Sequence, residues 1–345
     1  MVTLLTDFKR EFRDRVLDLL WRQWTTLGVS GHGRPWNGAM IDPEALLLFS
    51  CTLARHDARL FDAILDWLRV NGRLINVQRT KRMIDQEGCA GKAIFQAIAS
   101  VTKTSELDMK WSRSAKAPLC PPLPTEPLFY LESGKPLSVS RGNDPAFESS
   151  GFLRDVYQPR GVALPFKPDI PQNLILRLRA LLGVNARCEI LAFMVLNDKG
   201  SPRAVARDCY YFPATVSKAL AEMSGSGYLH SRVQGRHRYY QLAPDTSWRQ
   251  LLLAEARPAW IVWGRLFSAL EELWLHLSQE DLGNKSPLAQ ASGLRRILSE
   301  SVADKLDRCG ADVSLGDTAS HTGESLIPFF TSRTSAILQK LQVDV

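Results

Sequence analysis

The chain is poor in the side chains on which metal and thiol chemistry depend. Its 345 residues include six histidines and six cysteines. The cysteines are scattered, none forms a Cys-x-x-Cys pair, and none has histidines at zinc-finger spacing. Such a pattern is typical of reduced thiols in a cytoplasmic protein rather than of a disulfide framework. We therefore expect a cytoplasmic protein without a metal and without a cofactor.

Membrane and export signals are also missing. The apolar segment IDPEALLLFSCTLA, which begins at Ile41, is too short to span a bilayer and predicts a buried helix. The N-terminal segment MVTLLTDFKREFRDR mixes acids with bases and has no cleavage-site pattern, so it does not resemble a signal peptide. Both observations predict a protein that does not act in a membrane.

Catalytic signatures are scarce as well. The adjacent carboxylates Glu271 and Glu272 fall on a predicted helix, where neighbouring side chains point in different directions and do not act as a pair. Because no metal-ligand cluster accompanies the six histidines, we expect that the protein is not an enzyme.

The first 112 residues predict a helical bundle domain of about five helices. Asp42 and Pro43 have the residue types of an N-cap and a first helical position, and they open a helix that runs to Leu53. Segments 59–70, 74–84 and 92–101 show further helical periodicity. The first helix carries one apolar stripe, which consists of Phe8, Phe12, Val16, Leu19, Leu20 and Trp24.

Proline separates this bundle from the rest of the chain. Of the 19 prolines, eleven lie between Pro118 and Pro171. Proline lacks a backbone N–H and therefore excludes a regular helix or a central strand here. We interpret residues 113–170 as a Pro-rich linker of extended chain that wraps the surface, with a short helix near residues 147–157.

Residues 245–345 predict a C-terminal helical region that either packs in the core or forms a dimer. A long helical pattern over 248–277 is bent near Pro258, and residues 310–324 form a polar tail that we expect to be mobile, before a short helix at 332–341. Apolar residues recur every three or four positions along one seam, which consists of Trp263, Leu266, Phe267, Leu270, Leu273, Trp274 and Leu277. The seam fits core packing and pairing with a second copy equally well.

The most informative pattern lies in residues 171–244. Segments 174–182 and 187–197 predict two helices, and Ser201-Pro202 then opens a short helix over 203–209. A further helix follows Pro213 over 214–223 and ends at Gly225 and Gly227. Strand-forming residues on both sides of Gln234-Gly235 predict a two-stranded hairpin.

The spacing of small motifs in this segment resembles that of a known family. Val205-Ala206 is followed about ten residues later by Thr215-Val216-Ser217, and then by Leu220 and Gly227-Tyr228-Leu229. This pattern resembles the winged helix-turn-helix domains of bacterial transcription regulators of the MarR and ArsR kind, over about a fifth of the chain. The segment departs from that family at Tyr210, where the turn usually has glycine, and at Phe212, where a small polar N-cap is usual. These departures affect the angle at which we expect the second helix to enter a DNA groove.

The helical patterns on both sides, together with this resemblance for residues 171–244, predict a fold class for the whole chain. We expect a mainly α protein with a helical N-terminal domain, a central winged helix-turn-helix that carries a small β-hairpin wing, and C-terminal helices. On the second helix, Val216, Ala219, Leu220 and Met223 share the inner side, whereas Thr215, Ser217 and Lys218 lie on the other.

The charge distribution agrees with this interpretation. Residues 171–244 contain ten Lys or Arg and four acids, so they carry +6 of the chain's formal net charge of +7. A concentrated positive charge is what neutralisation of DNA phosphates requires. The predicted DNA-binding residues are Arg203, Thr215, Ser217, Lys218, Arg232, Arg236, His237 and Arg238.

Three functional hypotheses follow. The first is a sequence-specific transcriptional regulator that binds double-stranded DNA, as a homodimer whose two wings meet half-sites about one helical turn apart. The second is an antitoxin-like or adaptor protein whose helical domains bind a protein partner encoded nearby, with DNA binding for autoregulation. The third is a nucleic-acid enzyme that uses the winged helix only for docking.

Overall fold

A computed structural model describes residues 4–31, 34–102, 111–112, 125–244, 247–253 and 257–343. The described chain is mainly helical and has two small two-stranded sheets, which confirms the predicted mainly α class.

The N-terminal part forms helices where the sequence predicts them. Asp42 accepts hydrogen bonds from the backbone N–H groups of Glu44 and Ala45 and so caps the second helix. The fourth helix begins three residues later than predicted, because Gly72–Leu74 forms a 3-10 turn and Asn76 provides the cap. The helices are α1 (Leu4–Thr26), α2 (Pro43–Leu53), α3 (Ala58–Asn71), α4 (Val77–Glu87) and α5 (Lys92–Val101).

The proline-rich segment covers one side of these helices. Strands β1 (Glu126–Pro127) and β2 (Phe152–Leu153) pair in parallel. The short helix α6 (Pro145–Glu148) lies earlier than the predicted 147–157 helix, because Asp144 and Pro145 start it and Gly151, with a φ of 90°, follows its end. Apolar side chains of this segment enter the main core: Leu128, Phe129, Phe147, Phe152 and Tyr157.

Residues 171–244, which we call the helix–hairpin unit, contain four helices and a hairpin in the predicted order. The helices are α7 (Leu174–Leu182), α8 (Ala186–Leu196), α9 (Pro202–Asp208) and α10 (Pro213–Gly225). Strands β3 (Leu229–Gln234) and β4 (His237–Leu242) pair antiparallel, and Gly200 forms an isolated bridge with Tyr240 on the other edge of β4. The buried residues predicted on α9 and α10 pack with α8 in the unit's own cluster: Val205, Ala206, Val216, Ala219 and Leu220.

The C-terminal helices complete the core of the N-terminal helices. All seven seam residues are buried within the single chain, so α12 packs against α1 and α2 and does not present this seam to a second copy. The predicted tail differs too, since Ala311, Val313 and Leu315 are buried in the same core. The helices are α11 (Trp248–Leu253), α12 (Trp263–Leu277), α13 (Pro287–Ile297), α14 (Ala303–Asp307) and α15 (Leu326–Val343), with a π-helical segment (Leu298–Val302) before α14.

Candidate nucleic-acid interface

The turn between α9 and α10 docks on the bundle through Tyr210. Its φ of 60° is a left-handed conformation that bulky residues rarely adopt. The side chain is buried, and its hydroxyl donates to Oε1 of Glu87 at 2.8 Å. A Cβ on Gly264 of α12 would come within 2.5 Å of the Tyr210 hydroxyl oxygen, so the glycine allows this close approach. Burial, together with the charge of Glu87, raises the pKa of Tyr210.

A buried ion-pair network fixes the same side of the helix–hairpin unit. Arg179 of α7 donates to Glu44 of α2 and to Glu189 of α8, each at 2.8 Å through one of its nitrogens. Arg79 of α4 donates from Nη1 to Asp42 at 2.8 Å and to Glu44 at 2.6 Å. Burial opposes the ionisation of Glu44, but Arg179 and Arg79 outweigh it and hold the pKa of Glu44 at about 2. Glu44 is therefore a carboxylate at neutral pH.

Backbone and tyrosine contacts extend this network to the turn itself. The Tyr211 hydroxyl donates to Oε2 of Glu189 at 2.8 Å and accepts a hydrogen bond from Nδ2 of Asn76, also at 2.8 Å. Nε of Arg79 donates to the backbone carbonyl of Cys209 at 2.9 Å. The bundle thus holds the turn that leads into α10 and fixes the direction of that helix.

The opposite side of α10 faces solvent. Thr215, Ser217 and Lys218 are exposed, as are Ala214 and Ala221 beside them. No side chain caps the helix: Phe212 occupies the N-cap position, and Pro213 is the first helical residue. Among the residues described, the body of the protein therefore does not cover the face that the sequence assigns to DNA.

The hairpin extends this exposed surface. Its tight turn consists of Gly235 and Arg236, and Gly235 has a φ of 61°, as the first residue of a type II′ turn requires. In the strand register, Arg238 pairs with Val233. Both lie on the same face of the hairpin as Leu229, which is buried nearer the helices, whereas Arg232 lies on the opposite face. Arg203, at the start of α9, is exposed as well.

His237 belongs to β4, and its side chain lies outside the described part of the structure. The other predicted contact residues are all exposed and lie on α9, α10 and the hairpin.

Ion pairing distinguishes the acids of the unit from its bases. All four acids are paired: Glu189 with Arg179, Asp198 with Arg249 and Arg257, Asp208 with Arg207 and Arg265, and Glu222 with Arg187. Over the described chain, seven of the unit's ten bases have no acidic partner within 4 Å. Arg177, which is half-buried, donates instead to the backbone carbonyls of Leu251 and Leu252. The other six are exposed, and they are Lys199, Arg203, Lys218, Arg232, Arg236 and Arg238. The excess positive charge of the unit is therefore on its exposed surface.

One contact of this surface could not be predicted from the sequence. Arg82 of α4 stacks on Phe212, with its guanidinium carbon 3.4 Å from the ring centroid, while 64% of Phe212 stays exposed. Nε of Arg82 has no hydrogen-bond partner among the residues described. The cation therefore stands beside the N-terminal end of α10, where backbone N–H groups and the helix dipole favour anions. Nothing in the local sequence of α4 distinguishes Arg82 from an ordinary surface base.

The described ranges also bear on two other kinds of site, a metal cluster and a carboxylate pair. No group of three or more His, Cys, Asp or Glu residues there could hold a metal ion. The adjacent carboxylates point apart, since Glu271 accepts a hydrogen bond from Thr52 and Glu272 binds Lys305 at 2.7 Å. No described helix has both the length and the apolar character that crossing a bilayer needs.

Comparisons with known proteins found no match: the chain matches no family model, no curated protein and no solved structure. The functional interpretation therefore depends on the residues and contacts described above.

Proposed function

We propose that the protein is a sequence-specific DNA-binding transcriptional regulator that uses the helix–hairpin unit as a winged helix-turn-helix. Helix α10 enters the major groove, where Thr215, Ser217 and Lys218 reach base edges. The wing arginines Arg232, Arg236 and Arg238 contact phosphates or the minor groove, and Arg203 contacts the backbone beside them.

The observation that carries this proposal is the one-sided pairing of charge. The acids of the unit are all neutralised by ion pairs, whereas six exposed bases on α9, α10, the hairpin and the loop before α9 have no acidic partner in the described chain. A surface with unpaired cations attracts a polyanion over long range and gains from the release of its counterions. The order of the elements supports the groove assignment, because a helix held by two others and followed by a hairpin is the arrangement that the resembling family uses.

The test compares DNA binding by the wild-type protein and three variants. The duplexes are the fragment upstream of its own gene, a sequence selected by the protein from a randomised pool, and a scrambled duplex of equal length. Because base contacts carry about 1–3 kcal/mol each, Ser217→Ala with Lys218→Ala should lower the preference for the selected sequence about tenfold or more. Arg236→Ala should weaken binding to every duplex equally and reduce the salt dependence of log K by about 0.9.

Lys285→Ala is the matched control, since this lysine already pairs with Asp281 at 2.9 Å and lies in the C-terminal region. It should bind every duplex as the wild type does. Equal affinity of the wild-type protein for selected and scrambled duplexes, or no change in the Ser217 and Lys218 variant, would show that α10 does not read DNA.

The homodimer that the first hypothesis requires has to use a surface other than the α12 seam. That seam is buried in the core of the single chain. Sedimentation equilibrium of the full chain, alone and with a duplex that carries two half-sites, measures the stoichiometry. One chain bound per half-site with no association in free solution would mean that DNA, rather than a protein interface, pairs the copies.

Exposed leucines favour the second hypothesis as an alternative. Leu181 and Leu182 end α7 with 68% and 43% exposed, and Leu251 of α11 is 61% exposed. Arg177 donates to the backbone carbonyl of Leu251 at 3.3 Å, so α7 and α11 are neighbours. Exposed leucines on two neighbouring helices suit a protein partner. Co-expression with the product of the neighbouring gene, followed by size-exclusion chromatography, would support this alternative if the wild type co-elutes and Leu181→Ser with Leu251→Ser does not.

A further inference from the structure

A cleft far from α10 in the chain lies between α1, the end of α2 and the end of α12. It contains about 1220 Å³ of empty space, part of which is open to solvent. Lys9 comes from α1, Arg55 and His56 follow α2, Tyr130 follows β1, and Ser278 follows α12. Four separate stretches of chain thus bring polar side chains to one cavity, which is the usual architecture of a small-molecule site.

Polar groups in this cleft are left without partners. The ammonium of Lys9 makes no ion pair with the residues described, and it lies 5.6 Å from the centroid of the Trp274 ring. Oγ of Ser278 is buried without a hydrogen-bond partner in the described chain. The His56 ring touches Trp274 and Tyr130 through ring contacts, with centroids 4.9 and 5.9 Å apart. Unsatisfied groups of this kind cost free energy unless water or a ligand satisfies them.

Arg55 is held in place at the wall of the cleft. Its Nε donates to the backbone carbonyl of Leu128 at 2.9 Å, and Nη2 donates to the carbonyl of Pro127 and to Glu126. Its guanidinium also lies 5.1 Å from the Tyr130 ring centroid. These contacts fix a cation beside the cavity and use only part of its donor set.

The electrostatics of the cleft favour an anion. Burial and then the charges of Arg13, Arg55 and Lys9 lower the pKa of His56 to about 4, so the imidazole is neutral at pH 7. Burial and Arg13 likewise lower the pKa of Lys9. The acids nearby are mostly engaged: Glu126 pairs with Arg55, and Asp14 and Glu132 pair with Arg13, while Glu280 lies at the rim.

The walls between these polar groups are apolar. Tyr130 and His56 present rings, and Leu277 and Leu282 line the floor. We propose that this cleft binds a small organic anion whose carboxylate or phosphate contacts Lys9 and Arg55 and whose planar apolar body lies among the rings. The hydroxyls of Tyr130 and Ser278 supply further hydrogen bonds. The inference does not depend on DNA binding by the helix–hairpin unit.

Titration calorimetry of the full chain tests the proposal with four probes: 2-naphthoate, 2-naphthyl phosphate, the uncharged 2-naphthamide and inorganic phosphate. One of the two organic anions should bind at least about tenfold more tightly than the amide and than inorganic phosphate, which corresponds to about 1.4 kcal/mol. The better of the two anions decides between a carboxylate and a phosphate ligand. Absence of binding by both anions, or equal binding by the amide, overturns the proposal.

Lys9→Met should weaken binding of the anion about tenfold or more. The matched change Lys340→Met, at a lysine that pairs with Asp312 at 3.0 Å and does not line the cleft, should leave the affinity unchanged. Ser278→Ala provides a second, milder variant if Lys9→Met lowers the melting temperature. A bound anion must also stabilise the protonated imidazole, so the pKa of His56, followed by NMR with His56→Gln for assignment, should rise on saturation. An unchanged pKa together with unchanged affinity in both cleft variants would place the anion elsewhere.

Discussion

The two sides of the helix–hairpin unit differ in whether their basic side chains are buried in ion pairs or exposed without a partner. On the inner side, Arg179 is fully buried, pairs with Glu189 and shares Glu44 with Arg79 of the bundle. On the outer side, Lys218 and Arg236 are exposed and have no acidic partner in the described chain. A buried charge has lost its hydration and needs partners, whereas an exposed charge keeps water and is free to attract a ligand.

This difference shows that a count of charges does not identify a binding surface. The ten bases of the unit look alike in the sequence, but only six of them are exposed without an acidic partner. Buried Arg179, together with Arg79 of α4, contributes to the position of α10, because the two hold α7, α8 and the turn against the bundle. The outer bases contribute to the field that the protein presents.

The largest effect should come from the inner side. Arg179→Met removes the partner of two buried carboxylates and should lower the free energy of unfolding by about 3–5 kcal/mol, because uncompensated buried charges are costly. Arg203→Met makes the same change at an exposed, unpaired position and should stay within about 0.5 kcal/mol of the wild type. Urea unfolding measures both. Similar losses in the two variants would abolish the distinction between the sides.

The second-largest effect on stability should come from low pH, which acts on the same network. The pKa of Glu44 in the folded protein, about 2, is below its ordinary value of 4.5. The contribution of Glu44 is therefore fully present above pH 4.5 and is lost as the pH falls toward 2, by an amount on the order of 1–3 kcal/mol. Urea unfolding midpoints at pH 6 and pH 3 measure the loss. Glu44→Gln should show a smaller difference between the two pH values, and an equal difference would assign the acid sensitivity to other carboxyls.

Loss of a hydrogen bond at the turn between α9 and α10 should lower stability by a smaller amount. Tyr210→Phe keeps the ring in its buried position and removes the hydrogen bond to Glu87, so stability should fall by about 0.5–1.5 kcal/mol. Tyr228→Phe, at a side chain that is 46% exposed just before β3, is the comparison for loss of a tyrosine hydroxyl at the surface. Thermal unfolding of both variants measures the difference, and a larger effect at Tyr228 would contradict the docking role of Tyr210.

The smallest effect should be at Arg82, where the bundle meets the outer surface. If this cation contacts a phosphate near the start of α10, Arg82→Gln should weaken binding to every duplex about threefold and lower the salt slope by about 0.9. Stability should remain within about 0.5 kcal/mol of the wild type. An unchanged salt slope would show that DNA does not reach α4.

Local signals located the helices well. The predicted spans 92–101 and 174–182 coincide with α5 and α7, and the Ser201-Pro202 and Asp42-Pro43 starts are those of α9 and α2. Caps, prolines and apolar periodicity act within a few residues, so they can be read along the chain. The departure from glycine at Tyr210 predicted a turn of different shape, but Tyr210 adopts a positive φ of 60°, the conformation that glycine usually takes there. Its partner Glu87 could not be predicted from the local sequence.

Distant contacts could not be predicted in this way. An apolar seam such as that of α12 fits a core or a second copy equally, and only packing against α1 and α2 decided between them. The cleft around Lys9 and His56 joins four stretches of chain, none of which is unusual alone.

The sequence by itself determined where helices and turns form and how much positive charge residues 171–244 carry, because both depend on neighbours along the chain. Tertiary structure alone decided which of these charges are paired. Glu44 and Arg179 are 135 positions apart, and Arg82 meets Phe212 across a similar interval. Whether a cation is neutralised depends on which carboxylate folding brings within a few ångströms and on how much water remains around it.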